Sequence, residues 1–194
     1  AGLPDAVIID TGGLVVAGDD LAALTRAQVA LALDEADVVL MVVDGQAGLV
    51  PEDQHVAELL RRSGKPVVLA VNKGEGREAA GFTAEFWELG FGEPRAISAS
   101  RGDGVRELLD TALGCCPPPP PGEAAAGPAA EPAPAGRCIA VLGRPNVGKS
   151  TLINRLLREE RLVTRDEAGT TRDAVRVPFE LEGERFTLVD TAGL

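Results

Sequence analysis

The sequence is short of basic side chains, of histidine and of cysteine, and no apolar run in it is long enough to span a bilayer. Each shortage excludes something. With 19 Lys and Arg against 30 Asp and Glu, the formal net charge is −11, so these residues lack the basic footprint that grips nucleic-acid phosphates. Direct nucleic-acid binding by this stretch is not expected, nor is a membrane partner; an acidic cytoplasmic protein is. Cys115, Cys116 and Cys138 are odd in number, two of them are adjacent, and His55 is the single histidine, which leaves no zinc-ligand spacing. They read as reduced thiols. The first ten residues have no basic start of a secretion signal, and Ala1 is not a methionine, which suits a piece cut from a longer protein.

What is present is ample. Hydrophobic residues make up 45% of 194 positions, enough for one good-sized core or a core plus a fragment. Eight of the 14 prolines fall within residues 117–134, among Ala, Gly and Glu. Such a segment cannot bury enough surface to fold, and it reads as a semi-rigid spacer. On its N-terminal side, apolar runs end in polar groups at Asp10, Asp44 and Asn72, with a short run at Arg95–Ile97 before Ser98. Helical patterns separate them: 21–33 capped by Asp19 or Asp20, Pro51 to Gly64, Ala84–Leu89, and a last helix from Asp103 carrying Val105, Leu108, Leu109 and Leu113. Strand–helix alternation with near-continuous apolar strands predicts an α/β fold, a mostly parallel sheet covered on both faces. Met41 and Trp87 read as core or half-buried packing residues, and His55 as a solvated one.

The most informative stretch is Gly143-Arg144-Pro145-Asn146-Val147-Gly148-Lys149-Ser150, set between the apolar run Cys138–Leu142 and the helical pattern from Thr151. Strand, glycine-bracketed loop and helix form the context of a phosphate-binding loop. Gly143 and Gly148 let successive N–H groups face one concavity, and the positive end of the following helix faces the anion. Lys149 can reach the terminal phosphates, and the Ser150 hydroxyl can ligate magnesium. Beyond it come Gly169-Thr170-Thr171-Arg172-Asp173 and a β-hairpin, Ala174–Leu181 and Arg185–Val189, before Asp190-Thr191-Ala192-Gly193-Leu194. That last stretch repeats Asp10-Thr11-Gly12-Gly13-Leu14 at an offset of 180 positions. Two copies of one unit are therefore expected, the chain showing the back of one and the front of the next.

The motifs GRPNVGKS, GTTRD and DTAGL, with DTGGL, NKGE and SAS in the first part, resemble those of translation-factor-related GTPases. More closely they resemble the Der (EngA) family, bacterial GTPases with two G domains in tandem, implicated in large-ribosomal-subunit assembly. The resemblance implies a P-loop G-domain fold in two incomplete copies: residues 1–114, the C-terminal portion of a first G domain; 115–137, a Pro/Ala-rich linker; and 138–194, the N-terminal portion of a second. It implies GTP hydrolysis to GDP, Mg2+ and possible K+ dependence, and a ribosomal partner for the full-length protein. Residue by residue, the Thr170-Thr171 pair supplies the implied switch magnesium ligand, Thr171 being the preferred one, and Asp190 is the implied carboxylate behind the metal's own ligands. The Gly193 N–H would meet the γ-phosphate. Asn72-Lys73-Gly74-Glu75 occupies the guanine-recognition position, with Glu75 one methylene longer than the family's Asp. Ser98-Ala99-Ser100 resembles the loop that touches the base. Leu14 and Leu194 stand where Ras-type enzymes carry a water-orienting Gln, and Asn146 resembles a residue that helps hold potassium. Two other readings stay open: a circularly permuted single-domain GTPase, and an inactive fragment or interaction module. The complementary pieces are also expected to be able to dock into one composite sheet.

Overall fold

The computed structural model describes residues 6–10, 29, 30, 32–76, 79–116, 137–158, 175–181 and 184–190. In chain order the elements are strand β1 (Ala6–Asp10), strand β2 (Val38–Asp44), helix α1 (Pro51–Ser63), strand β3 (Val67–Asn72), helix α2 (Ala79–Thr83) and a 3-10 helix (Ala84–Leu89). Strand β4 (Arg95–Ala96), helix α3 (Val105–Cys115), strand β5 (Arg137–Leu142), helix α4 (Lys149–Arg158) and strands β6 (Val175–Leu181) and β7 (Glu184–Asp190) follow. The helix expected over 21–33 falls partly outside the described residues; 29, 30 and 32–35 are helical.

All seven strands lie in one sheet, in the order β4-β3-β2-β5-β1-β7-β6. Every pairing is parallel except the β6–β7 hairpin. The composite sheet is therefore realised: β5 is inserted between β2 and β1, although nearly a hundred residues separate it from β2. The insertion is sealed at its start by two backbone-anchored bonds, Asp37 N–H to Cys138 O and Cys138 N–H to Asp37 Oδ2, both 2.7 Å. Of the two repeated strands, β1 takes the place beside β5 and β7 lies outside it, with Asp10 opposite Asp190.

Why β2 reads as an unbroken apolar run is now plain. Val38, Leu40 and Val42 pack on one face against α3 and α4, while Val39, Met41 and Val43 pack on the other against α1 and Phe86. Both faces are covered, so no position can be polar. β5 divides in the same way, Ile139 and Val141 to the first face, Cys138, Ala140 and Leu142 to the second. Burial and the Asp37 carboxylate push the Cys138 thiol up to about 12, so it is inert at neutral pH. Pro51 opens α1 at its first turn, where its missing N–H is harmless, and Gly64 ends it in the left-handed conformation at φ 69°.

The helix expected around Ala84–Leu89 is present, as a 3-10 helix that ends at Gly90. Two sequence expectations need correction. Asp103 does not cap α3: its carbonyl accepts the Ser98 N–H at 2.9 Å, and Gly104, left-handed at φ 71°, precedes the helix. Trp87 is not a packing residue but 54% exposed, since Phe86 and Leu89 take the buried positions of that turn.

Candidate functional site

The sheet's geometry brings one group of loops together at the C-terminal ends of its parallel strands, where α/β sheets collect ligand-facing groups. β5 ends at Leu142 and delivers the 143–150 loop; β2, β3 and β4 deliver Asp44, Asn72–Glu75 and Ser98–Ser100 beside it. A cavity of about 260 Å³ lies between them, lined by Gln46, Asn72, Lys73, Glu75, Ala99, Ser100, Gly148 and Thr151. The phosphate-loop motif and the NKGE motif thus face one space, though one comes from each side of the proline-rich segment.

Asn72 is the junction. Its side chain is buried, donates from Nδ2 to Val147 O at 2.8 Å and accepts the Ala99 N–H on Oδ1 at 2.9 Å. One amide therefore locks the phosphate loop to the 98–100 loop. Gly148 has no alternative at its position: it sits at φ 100°, and a Cβ there would collide with Asn72 Nδ2. A Cβ on Gly143 would collide with Val42 O, so the loop lies flat on β2. Replacing Asn72 by alanine strands a buried N–H and a buried C=O. The expected loss is roughly 2–5 kcal/mol of folding stability, seen as a lower midpoint in urea denaturation.

Within the loop, Pro145 and Asn146 are exposed and Val147 is buried. Asn146 adopts φ 64°, a left-handed conformation that asparagine tolerates better than most residues. Lys149 is 5% exposed, and its ammonium donates to Gly143 O at 3.0 Å and Arg144 O at 2.9 Å. Ser150, the second residue of α4, is exposed. Arg144 reaches away from the cavity to α1, its Nε donating to Asp53 Oδ1 at 3.2 Å.

On the other side, Lys73 is held in the left-handed region at φ 69°, and its Nζ donates to Asp44 Oδ2 at 2.6 Å. Burial alone would raise the Asp44 pKa. The hydrogen bond from Lys73 and the N–H groups of Gln46 and Ala47 outweigh it and hold the carboxyl below its ordinary range. Gly74 donates its N–H to Ile97 O at 3.0 Å, and a side chain there would crowd that carbonyl and Phe82. Glu75 Oε1 accepts from Ser98 Oγ and Ser100 Oγ, each at 2.8 Å. The Ser100 hydroxyl first, then Glu75's own backbone N–H and Ser98, hold this carboxyl below its ordinary value of 4.5.

Asp10 and Asp190 are described as opposed residues at the ends of β1 and β7. Thr11, Gly12, Gly13, Leu14, Thr171, Thr191, Ala192, Gly193 and Leu194 lie outside the described residues. Sequence reasoning missed Asp44, Gln46, Asp53 and Thr151. Asp44 carried a usable signal, a carboxylate ending an apolar run as Asp10 does; Asp53 carried only its place in a helix's first turn.

A nucleotide fits what is present, and of the residues expected to hold magnesium the Ser150 hydroxyl is the one whose side chain is described. The Gly148 backbone passes where a side chain could not, a buried ammonium sits on the loop, an exposed hydroxyl follows it, and a charged carboxylate faces the far side of the same cavity. Comparison with known proteins agrees. Residues 2–73 and 138–194, more than half of the chain, match the family described as 50S ribosome-binding GTPase. The chain is 50% identical over 189 residues to the GTPase Der of Ralstonia nicotianae and 48% identical over 191 residues to that of Aromatoleum aromaticum. It is 46% identical over 189 residues to the GTPase Der of Burkholderia pseudomallei. These matches cover 97%, 98% and 97% of this chain and 42% of each relative, so the chain spans less than half of their length. The chain belongs to the family of 50S ribosome-binding GTPases.

Proposed function

We propose that this chain carries the nucleotide-handling part of an enzyme that hydrolyses GTP to GDP and phosphate and acts in assembly of the large ribosomal subunit. The observation that best supports the nucleotide-handling part is a cavity shared by Gly148 and Thr151 at one end and by Asn72, Lys73, Glu75 and Ser100 at the other. In this reading residues 1–114 are the back of one G domain, 138–194 the front of a second, and 115–137 the linker.

Each residue then has a task in binding, orienting or charge. The N–H groups of Gly143–Ser150 hold the phosphates, and Lys149 neutralises charge on the terminal ones. Ser150 and Thr171 would ligate magnesium, with a strand-end carboxylate behind it: Asp190 by the motif order of the second copy, and Asp10 by strand order in this sheet, since β1 borders β5 and β7 lies one strand farther out. The metal supplies charge stabilisation to the transferring phosphoryl group. By the family's pattern the Gly193 N–H, and that of Gly13 in the first copy, would meet the γ-phosphate, with Thr191, Ala192, Thr11 and Gly12 completing the two motifs. Glu75 accepts from the guanine N1–H and 2-amino groups, which adenine cannot offer. Leu14 and Leu194 cannot orient water, so charge must come from elsewhere, and Asn146 is the residue we assign to a potassium ion beside the phosphates.

The test is turnover by the protein with magnesium. GTP should be hydrolysed and ATP not, and potassium should raise the rate at least severalfold over sodium. Equal use of the two nucleotides overturns the GTPase reading, and equal rates in the two salts overturn the role of Asn146.

A further inference from the structure

The Arg144–Asp53 pair lies outside the cavity, and none of the motifs accounts for it. Asp53 is 1% exposed, and its carboxylate is divided between two tasks. Oδ2 accepts the Val50 N–H at 3.4 Å at the start of α1, and Oδ1 accepts Arg144 Nε across 91 positions of sequence. Burial raises the pKa of this carboxyl, with Arg144 the main opposing influence, so a charged Asp53 depends on its partner. Arg144 in turn has a buried Nη2 with no hydrogen-bond partner among the described residues. A pair serving stability alone would be a poor choice here: buried ion pairs seldom outperform apolar packing, and an unpartnered buried donor is costly.

The pair acts where position matters. The Arg144 carbonyl is one of the two acceptors of the Lys149 ammonium, and the Arg144 side chain is the one tied to α1. Residue 144 therefore links three things: the helix α1, the backbone of the phosphate loop, and the lysine that loop presents. Asn72 fixes the far end of the loop at Val147, so the 143–150 segment is held at two points. Removal of either leaves it pinned at one.

We propose that Asp53 is a positioning residue for nucleotide binding: through Arg144 it sets the phosphate loop in the shape that receives a nucleoside diphosphate or triphosphate, and it has no contact with the nucleotide itself. This rests on the phosphate-binding reading of the 143–150 loop. Phosphate affinity should depend on the pair, whereas the choice between guanine and adenine, made at Glu75, should not.

The test is a double-mutant cycle on the full 194-residue chain with Asp53→Asn, Arg144→Gln and the double variant. Asparagine keeps an acceptor for the Val50 N–H, so the start of α1 is preserved. Two readouts are taken: affinity for fluorescently labelled GDP, with ADP as competitor, and hydrogen exchange of the 143–150 and 67–72 amides without nucleotide. Each single variant should weaken GDP binding about tenfold or more and leave the GDP-to-ADP ratio unchanged. The double variant should be no weaker than the poorer single one, as expected for residues acting as a unit. Exchange in 143–150 should rise about tenfold in both singles with 67–72 unaffected. Additive losses, affinities within twofold of the parent, or unchanged loop exchange overturn the proposal. If Asp53→Asn fails to fold, Arg144→Gln, at a side chain 22% exposed, decides by the same two readouts. If the parent chain binds no GDP, the nucleotide reading fails, and loop exchange still decides whether the pair positions the loop.

Discussion

With Glu75 replaced by alanine, guanine nucleotides are expected to lose their advantage over adenine nucleotides, GDP affinity falling on the order of a hundredfold or more while ADP affinity barely moves. The reason is arithmetic on two hydrogen bonds. A carboxylate that accepts both the N1–H and the 2-amino group makes two charge-assisted bonds, each worth roughly 1.5–3 kcal/mol, and every 1.4 kcal/mol is about a tenfold change. The extra methylene of Glu75 relative to the family's aspartate is restrained by Ser98 and Ser100, whose hydroxyls both meet Oε1. Because those contacts hold its pKa below 4.5, the group stays ionised through neutral and mildly acidic solution. Selectivity should therefore be flat from neutral into mildly acidic solution and decline only as pH falls through the lowered pKa. Competition of labelled GDP by GDP and ADP, with parent and variant at several pH values, reads both effects. A GDP-to-ADP ratio unchanged by the substitution would remove Glu75 from base recognition.

Lys149→Ala should be as severe at the other end of the site. The ammonium is nearly buried and already oriented by two loop carbonyls, so little freedom remains to be lost when it meets a phosphate. Its removal leaves a loop of backbone N–H groups with no full positive charge beside them. Affinity for GDP and GTP should fall on the order of a hundred- to a thousandfold. Folding stability should fall less than affinity: the buried Gly143 carbonyl loses a donor, while the part-buried Arg144 carbonyl can be met by water instead. Calorimetric titration alongside urea denaturation separates the two; a matched loss of stability and affinity would mean that Lys149 is structural.

The contrast between these residues and the Arg144–Asp53 pair shows what a linear sequence can carry. Gly143–Ser150 and Asn72–Glu75 are legible because the tasks proposed for them are local. A tight turn needs glycine at fixed places, and a base needs a carboxylate at the end of a strand, so residue type and spacing record the chemistry. The strands were legible for a similar reason: Val38–Val43 is apolar throughout because both its faces are covered. Asp53 is different. Its role is set by a residue 91 positions away, and an acid in a helix's first turn looks the same with or without such a partner. Asp103 misled for a related reason, since a side chain suited to a cap was used instead through its backbone carbonyl. Trp87 shows the limit of residue preference, because a turn with Phe86 and Leu89 inside leaves its tryptophan outside.

The repeat is the subtlest case. Matching Asp10 with Asp190 suggests two strands with one job, and a composite sheet has room beside β5 for only one of them; the sheet sets the two side by side, β1 against β5 and β7 beyond it. β1 is the continuous apolar run Ala-Val-Ile-Ile before Asp10, whereas β7 alternates.

The central claim is that one site draws its phosphate end from residues 143–150 and its base end from residues 72–75. The most direct measurement is calorimetric titration of GDP, with magnesium, into this chain and into its Glu75→Ala and Lys149→Ala forms. One nucleotide per chain is predicted, and each substitution should weaken that same event. Binding that survives one substitution intact, or a stoichiometry of two, would contradict it.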